Sequence, residues 1–217
     1  MLFCGMTTTT NPPSSARTFA LPNLLTYGRI VAVPVVVGCM YWQAILGYGL
    51  WLRWMAFAVF VIAGITDVLD GYVARTYGQQ SVFGRMLDPI ADKLLVSSCL
   101  LMLAANETIK GWSLWAAIVI LCREILVSGL REYLAELRVS VPVTRLSKWK
   151  TVLQLVAIGF LIAGEAGDNV ISLVLTGKID ENIVPITLTG LTLLWGSAIL
   201  TLYTGWDYFR AGVRHLE

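Results

Sequence analysis

Residues 67–93 read DVLDGYVARTYGQQSVFGRMLDPIADK, and this stretch contains four aspartates that lie where two apolar segments meet the chain between them. Asp67 and Asp70 are three residues apart, and Asp88 and Asp92 are four apart, so each pair shares one face of a helix. We expect Asp88 to be the N-cap of the second helix, with Pro89 in its first turn. The interval of about a dozen residues predicts antiparallel neighbouring helices whose acidic faces converge. Unpaired carboxylates are unfavourable at a membrane boundary, so this convergence favours a functional site over solvated helix ends.

The rest of the chain is too apolar to present a water-facing surface. Of its 217 residues, 57% are hydrophobic and 14% are charged, and the mean hydropathy is +0.72; a soluble domain carries about 25% charged residues. A helix needs about 20 apolar residues to cross a bilayer. The candidate spans are approximately 24–46, 53–75, 89–106, 112–130, 148–164 and 183–205. We therefore predict an all-α integral membrane protein, a bundle of six transmembrane helices, with a loop over 165–182.

The charge distribution predicts the orientation of this bundle. Each of the 16 lysines and arginines can be assigned to the membrane face that it lies nearer. Thirteen lie at one face, and three lie at the opposite face: Arg53, Lys110 and Lys178. Since basic loops stay inside, both termini and the aspartates are expected to be cytoplasmic. Residues 1–20 are rich in Thr, Pro and Ser and are expected to be a disordered tail, which leaves 21–217 as the membrane domain. The tail lacks the Arg density of a transit peptide, which favours a bacterial plasma (inner) membrane over an organellar one.

The residues between the aspartates suit a large anionic ligand. Gly71, Ala74 and Gly84 lack bulk, so the backbone can approach a ligand closely there. Arg75 can bind a diphosphate through two parallel hydrogen bonds. Four converging carboxylates also need cations, and Mg²⁺ takes oxygen ligands of this kind. The stretch therefore favours metal-assisted phosphoryl chemistry.

The pattern D-x2-D-G-x2-A-R-x8-G-x3-D-x3-D, which the eight residues named above form, resembles that of the CDP-alcohol phosphotransferases. The resemblance implies a six-helix bundle, a homodimer and a site for two divalent metal ions, Mg²⁺ or Mn²⁺. It implies that metal is bound by Asp67, Asp70, Asp88 and Asp92, and that Asp92 also deprotonates the acceptor hydroxyl. The implied CDP-binding residues are Gly71, Ala74, Arg75 and Gly84. No nucleic-acid partner is expected.

Two further stretches narrow the resemblance. PNLLTYGR (22–29) is similar to the family's segment before its first helix, which implies that Asn23 and Thr26 lie near the nucleotide, although both residues could simply cap that helix. CREILVSGLREYLAEL (122–137) and KWKTVLQ (148–154) resemble the phosphatidylglycerophosphate synthase branch. That branch implies transfer of the phosphatidyl group from CDP-diacylglycerol to glycerol 3-phosphate in a membrane lipid environment.

The basic residues of these stretches are candidates for binding the acceptor phosphate, because a dianionic phosphate needs nearby cations. The candidates are Arg123, Arg131, Lys148 and Lys150. The alternative is that they are positive-inside charges that contact lipid headgroups. Arg123 lies deepest in an apolar run and needs a partner there, which favours function; Glu124 and Glu132 are candidates to pair with the arginines or to orient them.

Other functions stay open at this point. A sister enzyme would use inositol phosphate, serine or phosphatidylglycerol as acceptor, although the basic cluster disfavours serine. A divalent-cation transporter could also use an acidic cluster, but such proteins usually bind ions near the bilayer midplane between repeats. Here the aspartates lie at helix ends, and the sequence shows no convincing internal repeat.

Overall fold

The computed structural model describes residues 21–46, 49–77, 82–136, 145–179 and 182–213, and all of the regular secondary structure in these ranges is α-helical. Six helices follow one another along the chain: α1 Leu21–Leu46, α2 Leu50–Tyr77, α3 Val82–Ala105, α4 Ser113–Glu136, α5 Arg145–Thr176 and α6 Pro185–Val213. Side chains are described for fewer residues, and the set leaves out 21–25, 46, 68–77, 82–86, 88, 135–136, 145, 148 and 211–213. The all-α prediction is confirmed, and the predicted tail, 1–20, lies outside the described residues.

The helices have the length and composition of a membrane bundle. Within the described residues, five are long and apolar enough to cross a membrane, with spans at Thr26–Ile45, Leu50–Asp67, Ser113–Leu134, Trp149–Thr176 and Pro185–Arg210. The sixth helix, α3, carries Asp88, Asp92 and Lys93 in its first half. The prediction of a helical membrane bundle is confirmed.

Helix α1 is a common neighbour of α2 and α3, the two helices that carry the aspartates. It packs against both α2 and α3, whereas direct contact between α2 and α3 is slight in the described part of the chain. This differs from the expected neighbouring pair. On the other side of the bundle α6 packs against α5 and α4, and both α2 and α3 contact α5. The shared core is built from aliphatic side chains, among them Met40, Leu95, Leu103, Ile120, Ile158 and Leu194.

Two helices begin earlier than expected. Helix α3 starts at Val82, so Pro89 lies inside it and Asp88 is not an N-cap. A proline in a helix removes one backbone hydrogen bond, and here the helix continues through it; Lys93 Nζ donates to the Pro89 carbonyl oxygen at 3.2 Å. The interval between α2 and α3 shrinks to residues 78–81. Likewise α1 begins at Leu21, which places Asn23 and Thr26 inside the helix rather than at its cap.

The fifth span was predicted at 148–164, followed by a loop over 165–182. Both bounds were wrong, because α5 runs from Arg145 to Thr176. Glycines and acids made its second half resemble a loop. The glycines instead allow close packing: a Cβ added at Gly164 would lie 2.6 Å from Thr187 Oγ1, and one at Gly167 would overlap Ile186 Cδ1.

The two acidic residues of this segment, Glu165 and Asp168, have partners on other helices. Asp168 accepts hydrogen bonds from the backbone N–H groups of Ile186 (2.7 Å) and Thr187 (3.2 Å) and so caps α6 from outside. Glu165 forms an ion pair with buried Arg53, which also donates to Thr108 Oγ1 at 2.7 Å. These contacts provide partners for charged groups that would otherwise be unfavourable within an apolar helix, so the helix can continue through them.

Candidate active site

The candidate site residues lie at one end of the bundle. Helices α1, α3 and α5 supply residues from their N-terminal halves, and α2, α4 and α6 supply residues from the middle or the C-terminal half. Because this alternation matches an up-and-down bundle, the contributing ends meet on one side. The described residues at that end of the bundle include Thr26, Arg29, Asp67, Asp92, Arg123, Glu124, Lys150, Thr204 and Tyr208.

Asp67 forms an ion pair with Arg29, which the sequence analysis included only among the basic residues of the cytoplasmic face. Arg29 Nη1 lies 2.6 Å from Asp67 Oδ1, and the arginine side chain is 1% exposed whereas that of Asp67 is 35% exposed. Arg29 sits one helical turn after buried Thr26. The signal that could have identified it is its place in an apolar run, where a cation needs a partner.

Asp92 lies on α3, whereas Asp67 lies on α2. The charge on Asp92 interacts with those of Asp67, Arg29 and Glu124. Convergence of the four aspartates stays a prediction, because the side chains of Asp70 and Asp88 lie outside the described set. The remaining predicted metal and CDP-binding side chains lie outside the described side chains: Asn23, Asp70, Gly71, Ala74, Arg75, Gly84 and Asp88.

The two described aspartates suit a hard divalent cation. Carboxylate oxygens are the ligands that Mg²⁺ prefers, and a cation would relieve the mutual repulsion of Asp67 and Asp92. The described side chains contain no group of three or more His, Cys, Asp or Glu residues that could hold a metal ion. Asp67 and Asp92 are two of the four predicted ligands, and their carboxylates are of the type that such a cation binds.

A cavity of about 400 Å³ adjoins Asp92 and brings together the predicted acceptor residues. Its wall includes Asp92 from α3, Arg123 and Arg131 from α4, Lys150 from α5 and Tyr208 from α6. Three of the four predicted acceptor cations therefore share one cavity beside the predicted base. The side chain of the fourth, Lys148, is outside the described set.

Arg123 is buried and oriented by α6. Its Nη2 donates to Thr204 Oγ1 at 3.0 Å. Its aliphatic stem passes over Gly205, where an added Cβ would lie 3.0 Å from Arg123 Cγ. The missing side chain at residue 205 thus makes room for Arg123.

Lys150 is buried as well and pairs with Glu124. Its Nζ donates to Glu124 Oε1, and the same oxygen lies 3.5 Å from Arg123 Nη1. Glu124 is therefore the partner that the sequence required for a deep arginine. Burial argues against the lipid-headgroup interpretation for Arg123 and Lys150, whereas exposed Arg131 is compatible with either role.

A second, apolar groove of about 680 Å³ lies between α2 and α5. It begins near Ile65 and Val152, each two residues from a site residue, and extends past Gly159 to Ala163. From Val152 to Ala163 it follows three turns of α5, about 16 Å. Its wall is almost wholly hydrocarbon, so it suits an alkyl chain.

Comparison with known proteins identifies the family. Residues 19–205 match the family described as CDP-alcohol phosphatidyltransferase. The CDP-diacylglycerol–glycerol-3-phosphate 3-phosphatidyltransferase of Rickettsia bellii is 44% identical over 191 residues, covering 88% of this chain and 94% of that protein. A protein of the same name from Cereibacter sphaeroides is 37% identical over 221 residues, covering 92% and 98%. One from Arabidopsis thaliana, whose name adds the number 2, is 38% identical over 162 residues, covering 70% and 67%. The chain belongs to the CDP-alcohol phosphatidyltransferase family.

Proposed function

We propose that this protein transfers the phosphatidyl group of CDP-diacylglycerol to sn-glycerol 3-phosphate, giving phosphatidylglycerophosphate and CMP. The observation that carries the proposal is the cavity of about 400 Å³, in which Asp92 faces the cations Arg123, Arg131 and Lys150. A phosphorylated alcohol can place its phosphate on the cations and its hydroxyl near the carboxylate. The names of the relatives in bacteria and a plant support the same acceptor.

In the proposed reaction Asp92 takes the proton from the terminal hydroxyl of glycerol 3-phosphate. The hydroxyl oxygen then attacks the β-phosphorus of CDP-diacylglycerol in line, and the bond from that phosphorus to the bridging oxygen breaks as CMP leaves. Arg123, Arg131, Lys148 and Lys150 bind the acceptor phosphate through charge-assisted hydrogen bonds. This binding fixes which hydroxyl meets Asp92.

The donor side of the site requires metal. Two divalent ions, Mg²⁺ or Mn²⁺, would neutralise the diphosphate and polarise the reacting phosphorus when bound. The residues that would hold them are Asp67, Asp70, Asp88 and Asp92. Arg29 orients Asp67 through its ion pair, and the CDP group is assigned to Asn23, Thr26, Gly71, Ala74, Arg75 and Gly84.

The apolar groove supports a lipid substrate. Its near end lies within two residues of Asp67 and Lys150, so an acyl chain seated there would place the headgroup at the site. We assign the protein to a bacterial plasma membrane, in line with its bacterial relatives. The distribution of basic residues supports a cytoplasmic position for the site and for both termini. A homodimer is the proposed assembly, as the family resemblance implies.

An acceptor panel tests this function. Purified protein in detergent would receive CDP-diacylglycerol, Mg²⁺ and, separately, glycerol 3-phosphate, inositol phosphate, serine or phosphatidylglycerol. The expected result is metal-dependent CMP release and a lipid product with the mass of phosphatidylglycerophosphate with the first acceptor. A product with another acceptor instead would indicate a sister enzyme. Metal flux in proteoliposomes without CMP release would indicate a transporter.

A further inference from the structure

One carboxylate faces two buried cations in the wall of the acceptor cavity. Glu124 Oε1 accepts a hydrogen bond from Lys150 Nζ and lies 3.5 Å from Arg123 Nη1. Lys150 is 3% exposed and Arg123 is 9% exposed. One carboxylate oxygen of Glu124, on α4, therefore interacts with Arg123 of the same helix and with Lys150 of α5.

The two cations depend on Glu124 to different degrees. Arg123 has a second anchor, because its Nη2 donates to Thr204 Oγ1. Lys150 is hydrogen-bonded to Glu124 alone in the described part of the chain. Its charge also interacts with those of Arg123 and Asp92. Lys150 should therefore respond more strongly than Arg123 to a change at Glu124.

The arrangement leaves donors available for an anion. An ammonium group has three N–H donors and a guanidinium has five, so one bond from Lys150 to Glu124 leaves most of the donors unused. Two like charges held at one wall repel each other, and a buried cation without a counter-charge is unfavourable. Glu124 offsets both effects and keeps the cations side by side before any acceptor arrives.

We infer that Glu124 is a positioning residue for the acceptor phosphate: it fixes the Lys150 ammonium and the Arg123 guanidinium at the cavity wall, so the phosphate meets preorganised donors. This inference rests on the proposed function, since it concerns the same cavity. It adds an acidic residue to a subsite that was predicted from basic residues alone.

The test compares Glu124→Gln, which keeps the size of the side chain but removes its charge, with Glu124→Asp, which keeps the charge on a shorter side chain. Initial rates would be measured with glycerol 3-phosphate varied at saturating CDP-diacylglycerol, and then with the roles reversed. Loss of charge-assisted hydrogen bonding should raise KM for glycerol 3-phosphate roughly tenfold to a hundredfold in Glu124→Gln. KM for CDP-diacylglycerol should not change, and Glu124→Asp should recover part of the loss. Glu107→Gln, the same charge change in the exposed turn after α3, is the matched control and should leave both KM values unchanged.

Size-exclusion chromatography would verify that each variant is folded. If Glu124→Gln does not fold, Glu124→Asp decides: a raised KM for glycerol 3-phosphate alone supports the inference. Three results would overturn it. An unchanged KM would mean that Glu124 does not affect acceptor binding, and a lowered KM would mean that it competes with the phosphate. A loss confined to kcat would mean that it acts at another step. Failure of the proposed function is distinguishable, since the wild-type protein itself would then make no product from glycerol 3-phosphate.

Discussion

Gly205→Ala would test whether Arg123 must lie against α6 in order to bind the acceptor. The new methyl group would lie 3.0 Å from Arg123 Cγ and 3.3 Å from Nε. Favourable contacts between carbon atoms are about 3.5–4.0 Å long, so one group has to move by several tenths of an ångström. The backbone of α6 is held along its length by α5 and α4, whereas the arginine head borders a cavity of about 400 Å³. We therefore expect Arg123 to move.

The substitution is expected to weaken acceptor binding more than it changes stability. Movement of Arg123 weakens its 3.0 Å hydrogen bond to Thr204 and misplaces the guanidinium, a loss of about 1 kcal/mol in acceptor binding. That corresponds to a rise of about fivefold in KM for glycerol 3-phosphate. The free energy of unfolding should change by less than about 1 kcal/mol, because replacing a helical glycine by alanine is favourable by about 0.5–1 kcal/mol and offsets mild overpacking.

The assay is two-substrate kinetics in detergent combined with thermal unfolding of the same preparation. Gly196→Ala is the matched control on the same helix, because the nearest atom to its new methyl group, Leu153 Cδ2, lies at an ordinary 3.7 Å. The control should keep the wild-type KM. An unchanged KM in Gly205→Ala would refute the acceptor role of Arg123, and an equal rise in KM for CDP-diacylglycerol would refute its restriction to the acceptor.

Three further outcomes are expected. Asp92→Asn should lower kcat by about 10²–10⁴-fold, the usual contribution of a general base, in a protein that still elutes as folded; near-normal turnover would remove Asp92 from the mechanism. Gly190→Ala should lower the free energy of unfolding by about 2 kcal/mol through overpacking, because its Cβ would lie 2.8 Å from Leu161 Cγ and 3.2 Å from the Leu161 backbone N; a wild-type melting temperature would contradict this. In a background without native cysteines, Lys110→Cys and Leu175→Cys should react with an impermeant maleimide only from outside, and labelling from the cytoplasm would reverse the topology.

The local spacing of residues was sufficient for much of this protein. An apolar run of about 20 residues must become a membrane helix whatever surrounds it, so the existence of helices around these runs could be predicted one segment at a time. The aspartate pattern lies within 67–93, and its residue types and intervals indicated both the family and the phosphoryl chemistry. Confirmation of the family by residues 19–205 followed from these local features.

Helix ends were harder to predict, because they depend on partners elsewhere in the chain. Asp88 and Pro89 resemble a helix start, yet α3 begins at Val82. Glu165 and Asp168 resemble a loop, yet α5 continues through them because Arg53 and the first turn of α6 satisfy their charges. No local pattern contains these partners.

Only the tertiary structure decided which charges meet. Arg29 reaches Asp67 from a different helix, Glu124 and Lys150 are 26 residues apart, and Arg123 and Thr204 are 81 apart. The sequence required a partner for each buried cation, since an unpaired charge in an apolar segment is unfavourable. Several acids could have met that requirement, and the packing of α4 against α6, with Gly205 making room for Arg123, selected the arrangement that forms the cavity.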